Sequence, residues 1–353
     1  MRKRVLYITN IQVPYRVKFF NELSKKCDLT VLFERSKSSN RNVEWTKSIE
    51  CNYEQFFLDG IKIGNESSFS FKIIKYLMKN KYDIIILGCY STPVQILANF
   101  FMRFTNKEFV MNFDGEVFAN DKSFKSKIKK YVIKGASAYL IAGEESARNL
   151  KKIVGDKQIV PYYFSSLSEN EINKNIKEPS EQRQEHILVV GQYFDYKGLD
   201  VAVNVAKKMP NQLFKFVGMG NRTNLFKDEC EIKNLKNIIL APFLQKEELF
   251  YEYKTCKCML LPTRQECWGL VINEAASFGT PIISTYGSGA AVEFLKNKYD
   301  TLLARPNSDD EIIKCISNLN EINVEEYSMY LKDKSLKYSI EQGVKSHMRI
   351  VGD

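Results

Sequence analysis

Histidine is almost absent from this chain: His186 and His347 are the only two in 353 residues. The eight cysteines include no C-x-x-C pair. Cys256 and Cys258 alternate along a predicted strand, so their thiols point to opposite faces and cannot grip one ion. Together these scarcities argue against a zinc site and against a disulfide framework, and they fit a reduced, cytoplasmic setting. No D-x-D occurs, and no apolar run reaches the eighteen residues of a membrane span. The amino-terminal Met1-Arg-Lys-Arg has charges ahead of an apolar core, as a signal peptide does. That core is only Val5 to Ile8, however, and reads as a first strand.

The chain's length gives a prior of two domains. Apolar residues make up 44% and charged residues 27%, the balance of a globular protein. The net charge of +10 is uneven. Residues 1–170 hold 28 Lys+Arg against 17 Asp+Glu, and residues 171–353 hold 24 against 25. The first half is therefore the one suited to an anionic partner such as a membrane surface, nucleic acid or phosphorylated substrate, unless a Lys-rich composition is the whole cause.

Apolar strand-like runs alternate with helix-period segments in both halves, which predicts parallel sheets covered on both faces. The polar stretch 165–184 interrupts the alternation and reads as a linker. In the segment 122–134, Phe124, Ile128 and Tyr131 form one apolar stripe amid six lysines. That stripe reads as core-facing, with a basic face able to dock on anionic lipid.

The most informative stretch runs from Leu260 to Pro281. It predicts a buried strand, a loop, a helix, a Gly-Thr-Pro stop and a second strand. Glu266 stands before the helix and Glu274 about two turns into it. Gly269, between them, leaves room for a ligand at the helix N-terminus, where free N–H groups and the dipole favour an anion.

This segment resembles the E-x7-E signature of retaining glycosyltransferases of family 4. The resemblance implies a GT-B α/β fold, with two Rossmann-like domains facing a deep cleft and a C-terminal helix crossing back to the first. The implied boundaries are 1–164 for the acceptor domain, 165–184 for the linker, 185–325 for the nucleotide-sugar domain and 326–353 for the C-terminal helices. Family 4 commonly reads G-R-x-x-x-x-K-G after the first strand of the donor domain. Here Lys197-Gly198 is present but Gln192 replaces the Arg, so one cation is missing, and Arg264 is the candidate to supply it. Gly218-Met219-Gly220 matches the family's G-x-G. It lacks the third glycine of a dinucleotide fingerprint, because Thr223 stands there. Phe243 matches the family's loop whose main chain pairs with the base, and Gly287–Glu293 resembles its small-residue loop followed by a Glu that starts the next helix at the donor sugar.

By resemblance, Glu266 contacts the donor hexose, Glu274 the ribose and Lys197 the phosphates, while the N–H groups of Trp268, Gly269 and Leu270 meet the sugar or diphosphate. Asp114, in an Asp-Gly turn, occupies the acceptor-facing place where the family carries His or Asp. The implied activity is transfer from a nucleotide sugar, UDP-linked, to a glycan or lipid-linked acceptor at the inner face of the cell membrane, in bacterial surface polysaccharide synthesis. No cofactor and no metal are implied, since the nucleotide sugar is a substrate. The alternatives are a sugar-nucleotide epimerase of the same fold and a basic nucleic-acid-binding protein.

Overall fold

The computed structural model describes residues 2–36, 50–63, 67–115, 124–178, 183–218 and 234–352. These divide into two compact units: residues 1–166 with 340–353, and residues 167–339.

The first unit contains β1 (Arg4–Ile11), α1 (Pro14–Ser24), β2 (Asp28–Arg35), β3 (Glu54–Phe57) and a hairpin of β4 (Ile61–Ile63) and β5 (Ser67–Phe69). It continues with α2 (Lys72–Lys79), β6 (Ile84–Leu87), α3 (Pro93–Phe104), β7 (Val110–Phe113), α4 (Phe124–Ile133), β8 (Ala138–Ala142), α5 (Glu144–Val154) and β9 (Gln158–Tyr162). Its sheet is parallel, in the order β3-β2-β1-β6-β7-β8-β9. Strands such as Val5–Ile8 and Ile86–Leu87 are apolar on both sides because helices cover both faces, leaving these residues buried.

Strand β9 escapes the sequence pattern. It is short and contains Pro161, which an edge strand tolerates because its N–H row is not needed by a further neighbour.

The second unit contains α6 (Glu169–Lys177), β10 (His186–Val190), α7 (Leu199–Lys208), β11 (Leu213–Val217), β12 (Ile238–Ala241), α8 (Lys246–Thr255) and β13 (Cys258–Leu261). It then runs through α9 (Leu270–Ser277), β14 (Ile282–Thr285), α10 (Gly289–Leu295), β15 (Leu303–Ala304), α11 (Asp309–Leu319) and α12 (Val324–Lys337). Its parallel order is β12-β11-β10-β13-β14-β15, the doubly wound arrangement whose direction reverses between β10 and β13. The last helix, α13 (Ile340–Val351), packs against α1 and β9 and so belongs to the first unit. Gly343 permits this closeness, since a Cβ there would stand 2.8 Å from the Tyr163 carbonyl oxygen.

Two sequence expectations need correction. The stretch 165–184 is not simply a linker: Ser168 and Glu171 form a reciprocal capping box that starts α6. Ile172 of this helix is buried, and Asn175 donates to Ser277 Oγ at 2.9 Å, tying the helix to the second unit. In α4 the expected stripe does not face the core at two of its positions, and the side chain of the third, Phe124, lies outside the described residues. Ile128 and Tyr131 are 46% and 53% exposed, whereas Val132 and Ile133 enter the core. The two apolar sets lie on different sides of one helix, and periodicity alone does not say which side a sheet will cover.

Candidate functional site

The reversal of strand order puts the loops after β10 and β13 side by side at the carboxyl edge of the second sheet. Several hydrogen bonds lace these loops together. The Tyr196 carbonyl accepts from Arg264 N and from Thr263 Oγ1, each at 2.7 Å. Gly198, at φ +66°, lies so close to Pro262 that a Cβ would stand 2.2 Å from its carbonyl oxygen, so only glycine fits. The loop after β14 locks on as well. Glu266 N donates to Gly287 O at 2.8 Å, and Ser288 Oγ donates to Trp268 O at 2.7 Å.

This lacing brings Lys197 and Glu266 together from 69 residues apart, with Nζ donating to Oε1 at 2.5 Å. The side chains are only 14% and 18% exposed. Glu266 Oε2 is buried and has no hydrogen-bond partner. A carboxylate oxygen stripped of water and left unmatched costs about 1–3 kcal/mol or more, so this atom is poised for a donor from a ligand.

Beside it, Gly269 sits at φ +105° and opens α9 without any side-chain cap. A Cβ there would meet Ser288 Oγ at 2.9 Å and Glu266 Oε2 at 3.6 Å. The first-turn N–H groups of α9 and its positive dipole end therefore adjoin the Lys197–Glu266 pair. Farther along α9, Glu274 Oε2 accepts from the Tyr253 hydroxyl at 3.3 Å. Burial first, and then Glu274, push the pKa of that hydroxyl far upward, so it stays a donor.

Gln192, Gly218 and Phe243 follow β10, β11 and β12 and thus share the same sheet edge. Met219 lies outside the described residues. The structure does not offer Arg264 as a second phosphate cation. Its guanidinium grips both oxygens of Asp200, at 2.9 and 2.5 Å, which neutralises it and raises its pKa. The Trp268 indole is buried at 3% exposure and donates to Asn273 Oδ1 at 2.8 Å, so only the main chain of Trp268 lies at the loop. Glu293 does not start α10. It sits well inside that helix and accepts from the Tyr338 hydroxyl at 2.8 Å.

Asp114, at the carboxyl end of β7, has a different character. It is held by the Arg16 guanidinium, by the Tyr162 hydroxyl at 2.7 Å and by Asn112 Nδ2 at 3.3 Å. Against the opposing effect of burial, Asp114 carries the Arg16 pKa well above its usual value. Both oxygens of this carboxylate are thus engaged by donors of its own unit. The pair borders a cavity of about 130 Å³, lined also by Asn10, Cys89 and Gln95, at the strand-order reversal of the first sheet.

The sequence did not single out Arg16, Tyr162, Asp200 or Tyr253, because each acts on a residue far away in the chain. Nor did it signal the Phe194–Tyr196 stack on the 191–198 loop, whose ring centroids are 5.4 Å apart.

Residues 170–337 match the family model of the glycosyl transferases group 1. An uncharacterized glycosyltransferase of Haemophilus influenzae is 30% identical over 163 residues, 45% of this chain and 45% of that protein. The matched stretch thus spans less than half of that relative's length. An uncharacterized 41.2 kDa protein from a cps region of Klebsiella pneumoniae is 26% identical over 254 residues, 68% of this chain and 70% of its own. Among solved structures, the Anabaena protein HepE in complex with UDP-glucose superposes with a TM-score of 0.66 at 13% identity, covering 99% of this chain and 100% of that one. This likeness shows the fold, which is GT-B.

Proposed function

Since residues 170–337 match the group 1 glycosyl transferases, we propose that the protein transfers a sugar from a nucleotide-sugar donor bound at the carboxyl edge of the second sheet. The observation carrying this reading is the buried, unmatched Glu266 Oε2 beside Lys197 and the uncapped start of α9. Glu266 Oε2 accepts a hydroxyl of the donor sugar, and Glu274, braced by Tyr253, accepts the ribose hydroxyls. The leaving group is a nucleoside diphosphate. As its bond to the anomeric carbon breaks, Lys197 and the first-turn N–H groups of α9 stabilise the charge growing on the phosphate.

The donor is UDP-linked in this proposal, a choice supported by the UDP-glucose bound to the Anabaena neighbour. Membership of family 4, retention at the anomeric carbon and freedom from a metal rest on the E-x7-E spacing, the Lys197-Gly198 pair and the missing D-x-D. The setting is bacterial surface polysaccharide assembly on a glycan or lipid-linked acceptor at the inner membrane face, supported by the cps-region relative.

The test is a panel of nucleotide sugars incubated with and without glycan and lipid-linked acceptors, followed by mass spectrometry. Release of nucleoside diphosphate coupled to a one-sugar mass gain on an acceptor is the predicted result. Formation of an epimer from the donor alone would assign the protein to the epimerases instead.

A further inference from the structure

Helices α2, α3 and α4 lie along one face of the first sheet. Ile73, Leu77, Val94, Ala98, Met102, Val132 and Ile133 pack inward as part of a single apolar cluster. Their outward character is unusual. The segments 71–81, 93–107 and 124–134 hold four, two and five Lys+Arg and not one Asp or Glu.

Within this acid-free layer, large apolar side chains point into solvent: Phe100 and Phe104 of α3 are 43% and 88% exposed, and Ile128 and Tyr131 of α4 are 46% and 53% exposed. They form one patch. Phe100 and Phe104 are one helical turn apart, and the Phe100 and Tyr131 rings are 6.1 Å between centroids. Arg103 stacks over Tyr131 at 4.1 Å and donates to its carbonyl oxygen at 3.2 Å, which holds α3 to α4 beneath the patch.

We propose that this face docks the protein on an anionic lipid bilayer, with Phe100, Phe104 and Ile128 entering the acyl boundary and Tyr131 lying at the headgroups. Charge complementarity selects the occupant. A second copy would set one acid-free cationic face against another. Phosphodiester headgroups match the lysines, and acyl chains receive phenylalanines that have no hydrogen-bonding group to offer a base or a peptide. Lys127, Lys129 and Lys134 are exposed on the same segment as Ile128 and Tyr131, Lys129 with its Nζ 5.8 Å from the Tyr90 ring centroid, and their long stems let the charged ends reach headgroups. Among the described residues no helix is long and apolar enough to cross a membrane, so the attachment is interfacial and reversible.

This inference does not rest on the donor-site reading, and its test uses no nucleotide sugar. The full chain is co-sedimented with vesicles of equal phosphatidylglycerol and phosphatidylcholine, and with phosphatidylcholine alone, across a salt series. Wild type should partition onto the anionic vesicles and release as salt rises. The triple variant Lys127→Gln, Lys129→Gln, Lys134→Gln should lose about a hundredfold in partitioning. The double variant Phe100→Ser, Phe104→Ser should lose about a hundredfold at unchanged charge. Both sets of side chains are exposed, so thermal melting of the variants should match wild type. Equal partitioning of the double variant and wild type would overturn the proposal. So would binding indifferent to lipid charge, or retention on poly(U) without any partition onto vesicles.

Discussion

The two sheets reverse strand order in the same way, and each places an acidic residue at its carboxyl edge beside a cation. What differs is how well the carboxylate is satisfied. In the first unit, Asp114 accepts from Arg16, Tyr162 and Asn112. In the second, Glu266 spends one oxygen on Lys197 and keeps the other buried and unmatched. A fully satisfied ion pair stabilises the ground state and has little left to give a substrate. An unsatisfied one is a cost that binding can relieve. Similar topology thus hosts a satisfied carboxylate in one unit and a half-satisfied one in the other.

The contrast can be broken by substitution. Lys197→Gln removes the one cation that touches Glu266 among the described residues and should lower kcat by about a hundred- to a thousandfold, with a stability loss of about 1–3 kcal/mol. Asp114→Ala should act on stability rather than on kcat. It leaves Arg16, whose side chain is only 9% exposed, without its partner, so stability should fall by about 3 kcal/mol in denaturant titration. A collapse of kcat at unchanged stability would instead return Asp114 to catalysis.

A smaller effect concerns the closing helix of the first unit. His347 of α13 packs against Phe19 and Tyr162, and burial lowers its pKa to about 4, with Arg16 adding to the shift. The unfolded chain binds this proton near pH 6.5 while the folded chain refuses it, so stability must fall as pH drops from there towards 4. Between pH 6.5 and pH 5 the loss should be about 2 kcal/mol. His347→Leu should flatten that part of the pH–stability curve. The smallest expected change is with chelator: EDTA should alter turnover by less than about twofold if Lys197 and the α9 terminus supply the positive charge. Full loss restored by magnesium or manganese would contradict that.

Much of the architecture was legible because buried parallel strands are apolar on both faces, as Ile187–Val190 and Cys258–Leu261 are. Helix α6 was hidden by its polar composition, although Ser168-x-x-Glu171 carried its start signal. The Lys197–Glu266 pairing was foreseeable from loop placement after adjacent strands. The partners of Asp114 were not legible, since Arg16 and Tyr162 arrive from helix and strand positions that no local pattern connects to it. The outward turn of Ile128 and Tyr131 was missed because helix periodicity defines faces without saying which one meets the sheet.

Acceptance of a sugar hydroxyl by Glu266 Oε2 is read by calorimetry on Glu266→Gln. Titrations with UDP and with the nucleotide sugar identified by the product screen would be run on wild type and variant. UDP binding should be unchanged within about twofold, the extra affinity contributed by the sugar should be lost, and turnover should drop by about a hundred- to a thousandfold. Undiminished preference for the nucleotide sugar over UDP, with turnover intact, would rule that contact out.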